Sequence, residues 1–254
     1  MKTSGNTIFI TGGASGIGRG IAEAFHKQGN QVIISGRRKA LLDEVTAANP
    51  GMASIELDIQ SPVQIEAAAA KLTRDFPSLN VLFNNAGIMP FDDAAGAIDD
   101  AVALATVATN FLGPVRMTAA LLPHLKQQKD AVVIHNSSVL AFIPLANTAV
   151  YSATKAAIHS YALSQRFMLA DSGVRVVEIA PPWVDTDLIY KSGDERAMPL
   201  PAFIEETMRG LAAGKDEVIV EAIAALRDNP GSGEHALVNA FNQSIKENPI
   251  PMGH

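Results

Sequence analysis

The chain has 254 residues, a formal net charge of −6 at neutral pH and no cysteine. A hydrophobic content of 48% supports a sizeable core and excludes a disordered chain. The acidic balance argues against a nucleic-acid binder, and without cysteine there is no disulfide framework or thiolate metal site.

Residues 7–11 predict a short apolar strand and residues 16–28 a helix stopped by Gly29-Asn30. A strand at 31–35, a helix at 39–48, a strand at 54–57 and a helix opened by Ser61-Pro62 follow. Strands are then expected at 81–83, 131–135 and 174–179, separated by long helices at 99–126 and 149–171. Beyond Pro181-Pro182 the texture changes: 187–202 reads as a mobile substrate flap whose Pro199 and Pro201 limit regular helix. A helix at 203–213, a strand at 217–220, a loop at 227–234 and a short helix near 235–246 complete the pattern. Repeated strand–helix units with apolar strands predict an α/β fold, a doubly wound Rossmann-like parallel sheet of about seven strands with helices on both faces. No linker breaks the chain, so residues 1–254 read as one domain. No run of about 18 apolar residues occurs and MKTSGNTIFI holds no signal-peptide apolar core, so no membrane association and a cytoplasmic location are expected.

Two stretches carry chemistry. TGGASGIG places Gly12, Gly16 and Gly18 between the first strand and first helix, where backbone N–H groups can hold a pyrophosphate; an ordinary tight turn is the bland alternative. Tyr151 and Lys155, at i and i+4, share a helix face. A phenol needs its pKa lowered by about 3 units to act as acid and base near pH 7, and an adjacent ammonium favours that shift. Asn84-Asn85-Ala86-Gly87, Ser137-Ser138 and Asn110 supply polar groups at strand ends and within the long helix.

Taken in order from Thr11 to about Thr186, these motifs resemble the short-chain dehydrogenase/reductase family. Within it, TIFITGGASGIG and APPWVDTDL look most like the DltE-type members. The resemblance implies that Tyr151 is the proton donor or base, that Ser138 hydrogen-bonds the substrate oxygen, and that Lys155 lowers the Tyr151 pKa and holds the nicotinamide ribose. It implies that Asn110 supports a water linking Lys155 to solvent. Pro114 has no N–H, so the residue 110 carbonyl loses its i+4 partner, although Gly113-Pro114 can equally be a simple kink. Ser15, Ile17, Ile59, Asn85, Ala86, Gly87, Pro181, Val184 and Thr186 would line the cofactor, and Asp58 would either accept from the adenine or cap the third helix.

At the end of the second strand Arg37-Arg38 stand where NAD sites usually have an acid, which favours NADP(H) over NAD(H). Val139, Leu140, Phe142, Ile143, Leu145, Trp183, Leu188 and Ile189 suggest a hydrophobic cleft, with Leu140, Leu145, Trp183 and Leu188 the substrate candidates. Pro182 and Ala141 depart from the family pattern at the substrate wall. The expected activity is hydride transfer between a nicotinamide and a small-molecule carbonyl or alcohol. An NADP(H)-sensing regulator and an epimerase using the same Tyr-Lys pair are the alternatives. The long helices, with Ala153, Ala156 and Ala157, suit pairing into a homodimer or homotetramer.

Overall fold

The computed structural model describes residues 1–228 and 231–250. Among them a seven-stranded parallel sheet runs in the order β3-β2-β1-β4-β5-β6-β7. Its strands are β1 (Thr7–Thr11), β2 (Gln31–Gly36), β3 (Ala53–Glu56), β4 (Leu79–Asn84), β5 (Val132–Asn136), β6 (Arg175–Ala180) and β7 (Glu217–Ile219). The helices are α1 (Gly16–Lys27), α2 (Lys39–Ala48), α3 (Pro62–Asp75), α4 (Asp100–Val107), α5 (Gly113–Leu125), α6 (Ala149–Met168), α7 (Leu200–Ala212), α8 (Ala224–Arg227) and α9 (Glu234–Glu247).

Alternation along the strands builds two cores. Ile8 and Ile10 of β1, with Val32 and Ile34 of β2, pack on one face against Phe25 of α1, Leu42 of α2 and Phe203 of α7. Phe9 and Ile33 point the other way, toward Leu72 of α3, Leu121 of α5 and Ala162 of α6. With both faces covered, these strands must be apolar at successive positions. The chain leaves β1 toward β2 and β3, then returns to lay β4 on the opposite edge of β1. That reversal opens a crevice at the strand ends, where α/β sheets bind ligands.

Three features differ from the sequence expectation. The long helix predicted at 99–126 is α4 and α5 joined by a wide π turn, Ala108–Leu112, in which the Gly113 N–H reaches back to the Ala108 carbonyl. Pro114, lacking an N–H, sits in the first turn of α5, and the wide turn lies just before it. Next, α7 begins at Leu200, so residues 200–202 of the expected flap are helical. Pro201 falls in the first turn, where a missing N–H costs nothing. Finally, α8 carries helix to Arg227, into the expected loop at 227–234; Asn229 and Pro230 of that loop lie outside the described residues.

Candidate active site

The glycine loop is shaped by what its residues lack. Gly12 and Gly16 have φ of +66° and +52°, a region that L side chains rarely adopt. A Cβ on Gly12 would lie 2.9 Å from the Ala86 Cα, and one on Gly18 would collide with the Gly12 carbonyl oxygen. α1 can therefore start hard against the loop, leaving a cradle beside its N-terminal N–H groups. Ser15, the N-cap of α1, makes no side-chain cap bond; its Oγ accepts from Arg38 Nη2 at 3.0 Å.

Asn85 stitches three strand ends together. Its N–H and that of Ala86 donate to Thr11 Oγ1 at 3.0 and 3.1 Å, and its Nδ2 donates to the Thr11 and Gly12 carbonyls. Asn136 Nδ2 in turn donates to Asn85 Oδ1 at 3.0 Å. Asn84 points away, toward Thr118 of α5. Asp58 closes a local turn by accepting from Gln60 N, and the cap of α3 is Ser61.

α6 brings up the chemistry. Ser138, Tyr151 and Lys155 are 6%, 5% and 4% exposed, so each lies within the protein. The Ser138 Oγ accepts from Leu140 N at 3.1 Å and its hydroxyl is hydrogen-bonded to Tyr151. Lys155 Nζ lies 5.5 Å from the Tyr151 ring centre and donates to the Asn136 carbonyl at 2.8 Å. Burial pushes the Tyr151 phenol up to about 12, opposed by the bond from Ser138. Burial also pulls Lys155 down to about 8, opposed by the charge of Glu178. Withdrawal from water sets the direction for Tyr151, against the lowering expected from its spacing to Lys155.

Asn110 sits in the π turn, just behind the cleft wall. Its Oδ1 accepts from Ile88 N, and its Nδ2 donates to the Ile88 carbonyl and to Thr154 Oγ1. A Cβ on Gly87 would lie 3.4 Å from Asn110 Oδ1 and 3.8 Å from Lys155 Nζ, so these three residues converge.

One cavity of about 1060 Å³ joins the glycine loop, the ends of β2 and β3, and the Ser138–Tyr151–Lys155 group. Arg37, Arg38, Asp58 and Ile59 line one end; Leu140, Leu145, Trp183 and Leu188 line the other. Asn84, Asn110, Phe142 and Ile143 do not reach its wall; the other predicted site and cleft residues do. Sequence reading missed the far wall, made by Ile223, Leu226, Phe241, Ile245 and Ile250. Phe241 and Ile245, at i and i+4 on α9, were the available signal. Arg196 closes this side: it stacks over Trp183 at 5.3 Å, pairs with Asp194 and holds the Asn248 and Pro249 carbonyls.

The family model described as short chain dehydrogenase matches residues 6–197. The chain belongs to the short-chain dehydrogenase family. It is 40% identical over 234 residues to "Uncharacterized oxidoreductase DltE" of Bacillus subtilis, covering 90% of this chain and 93% of that protein. A short-chain dehydrogenase from Burkholderia cenocepacia, solved in complex with NADP, superposes with a TM-score of 0.79 at 27% identity, over 99% of this chain and 100% of that one. A 3-ketoacyl-(acyl-carrier-protein) reductase from Brucella melitensis, complexed with NADH, has a TM-score of 0.70 at 30% identity, over 74% of this chain and 79% of that one. This short-chain dehydrogenase is thus an oxidoreductase on a nicotinamide-binding fold. Its own residues fit that group: a Cβ at Gly12 or Gly18 would close the loop's cradle, and α1 opens onto it.

Proposed function

We propose that the protein is an NADP(H)-dependent oxidoreductase that interconverts a hydrophobic ketone or aldehyde and its alcohol. The observation that carries this reading is the shared cavity, with Ser138, Tyr151 and Lys155 at its centre and the Ser15–Arg38 contact at its cofactor end. A bound nicotinamide supplies or accepts the hydride. Tyr151, kept a neutral phenol by burial, gives its proton to the carbonyl oxygen, and Ser138 donates a hydrogen bond to the same oxygen. Lys155, anchored on the Asn136 carbonyl, holds the positive charge that stabilises phenolate as the proton leaves.

Gly12, Gly16 and Gly18 with the start of α1 hold the pyrophosphate, Ser15 and Arg38 the 2′-phosphate, and Val184 and Thr186 the carboxamide. Substrate packs on Leu140, Leu145, Trp183 and Leu188 beneath a flap at 187–202, in one domain spanning 1–254. Exposed Leu163 and Phe167 on α6, at 46% and 82%, support self-association through the long helices. No helix among the described residues is long and apolar enough to cross a membrane, which accords with a proposed cytoplasmic location.

The test is a panel of ketones, aldehydes and secondary alcohols with NADPH or NADP, followed by nicotinamide absorbance, in wild type and Tyr151→Phe. The substitution should cut turnover by about 10²–10⁴-fold and leave cofactor binding intact. Undiminished activity refutes the assignment. Cofactor binding without turnover on any compound points instead to a regulator, and product inversion without net cofactor change to an epimerase.

A further inference from the structure

One charged group on β6, the strand next to the β7 edge, has no part in the roles given above. Glu178 interrupts the apolar strand RVVEIA and is fully buried. It points to the α6 side of β6, the face opposite Val177 and Ile179. A buried carboxylate must be compensated. Here Ser137 Oγ donates to its Oε1 at 2.5 Å, and His159 Nδ1 lies 3.0 and 2.8 Å from its two oxygens.

Both partners lead to the active site. Ser137 precedes Ser138, and its turn is tied to β6 by Ser137 N to the Ile179 carbonyl and Val139 N to the Pro181 carbonyl, each at 2.8 Å. His159 follows Lys155 by one helical turn, and Lys155 follows Tyr151 by one, so all three share a face of α6. The other charged or titratable groups around Glu178 are Arg166 on the same helix, His135 opposite it on β5, and Glu217 opposite it on β7. Glu217 is paired with Arg227 of α8.

We propose that Glu178 is a positioning residue for the catalytic pair Ser138 and Lys155: through Ser137 it fixes the serine turn, and through His159 it sets a negative charge beside the helix turn that carries Lys155. The inference rests on the roles proposed for Ser138 and Lys155. The electrostatic direction agrees, because Glu178 opposes the desolvation that draws the proton off Lys155.

The test needs no substrate. NADPH affinity is measured from pH 6 to 10 by quenching of Trp183, the single tryptophan of the chain. In wild type, affinity falls on the alkaline side as Lys155 loses its proton. In Glu178→Gln that fall moves to lower pH by roughly one unit. Glu178→Asp, which keeps the charge, restores it. In Lys155→Met the fall is absent, and adding Glu178→Gln then changes nothing in the profile. A Glu178→Gln profile that matches wild type overturns the proposal, as does a shift that persists in the Lys155→Met background. If Glu178→Gln does not fold, Glu178→Met combined with His159→Leu gives the same readout, since replacing both members of a buried pair by apolar side chains is commonly tolerated. Loss of the proposed carbonyl-reductase activity would appear as a failed substrate panel with these binding profiles unaffected. An alkaline fall that survives Lys155→Met removes the lysine role and the inference together.

Discussion

Replacing Arg38 with alanine tests the proposed preference for NADPH over NADH. Arg38 is exposed at the end of β2, and among the described residues its guanidinium makes one hydrogen bond, to Ser15 Oγ at 3.0 Å. The rest of its five N–H donors remain available to a phosphate. A hydrogen bond to a charged group contributes about 1.5–3 kcal/mol, and the exposure of this site puts the 2′-phosphate contact toward the lower figure. Since 1.4 kcal/mol is tenfold in affinity, Arg38→Ala should weaken NADPH binding by about 10- to 100-fold. NADH, which has no 2′-phosphate, should weaken by less than about threefold on the same reasoning. Titration of Trp183 fluorescence with each dinucleotide measures both constants. Wild-type NADPH affinity should fall with added salt, and the variant should respond more weakly. Arg37 makes no side-chain hydrogen bond to the loop among the described residues, so Arg37→Ala should cost less. Equal losses for NADPH and NADH would refute the reasoning by placing Arg38 on the shared part of the cofactor; no loss would remove it from the site.

Two further outcomes follow from buried groups. Lys155 is lowered from 10.5 to about 8. Between those values the unfolded chain binds a proton that the native state does not, so stability rises as pH climbs from about 8 to about 10.5, and at neutral pH the buried ammonium costs about 3 kcal/mol. Lys155→Met should therefore melt several degrees higher at pH 7, less whatever the Asn136 carbonyl loses, while losing cofactor affinity. A melting temperature at or below wild type would contradict this. Gly18→Ala drives a methyl into the Gly12 carbonyl and the Asn85 amide, and should destabilise the fold by about 1–3 kcal/mol in urea unfolding and sharply reduce cofactor binding. Wild-type behaviour in that variant would mean the loop is looser than its packing.

The strands and the site motifs were legible because each is local. Alternation at Ile8, Phe9 and Ile10 marks a strand covered on both faces, and Tyr151 and Lys155 declare a shared helix face by spacing alone. What burial decides was not legible. Spacing places an ammonium near Tyr151, but the net direction of its pKa depends on how much water the fold removes, and that favours the neutral phenol. Glu178 did leave a signal, a charge inside an apolar strand, yet its partners Ser137 and His159 are set by sheet register and helix docking. The wall from α9 was hidden for the same reason: Phe241 and Ile245 show an apolar face without saying what it covers. At Asn110 the sequence announced a disturbed helix through Pro114, and packing determined that it takes the form of a π turn.

The strand order carries a consequence for how the molecule is made. β1 is synthesised first and finishes inside the sheet, between β2 and β4. A chain emerging from its N-terminus can add β2 and then β3 to one edge of β1, but the other edge stays bare until residues 79–84 arrive. That edge is the apolar strand TIFIT, a template for mispairing with another nascent copy. Arrival of β4 both caps it and brings Asn85 against Thr11 and Gly12. The step that protects the growing chain from aggregation is therefore the same step that assembles the glycine loop.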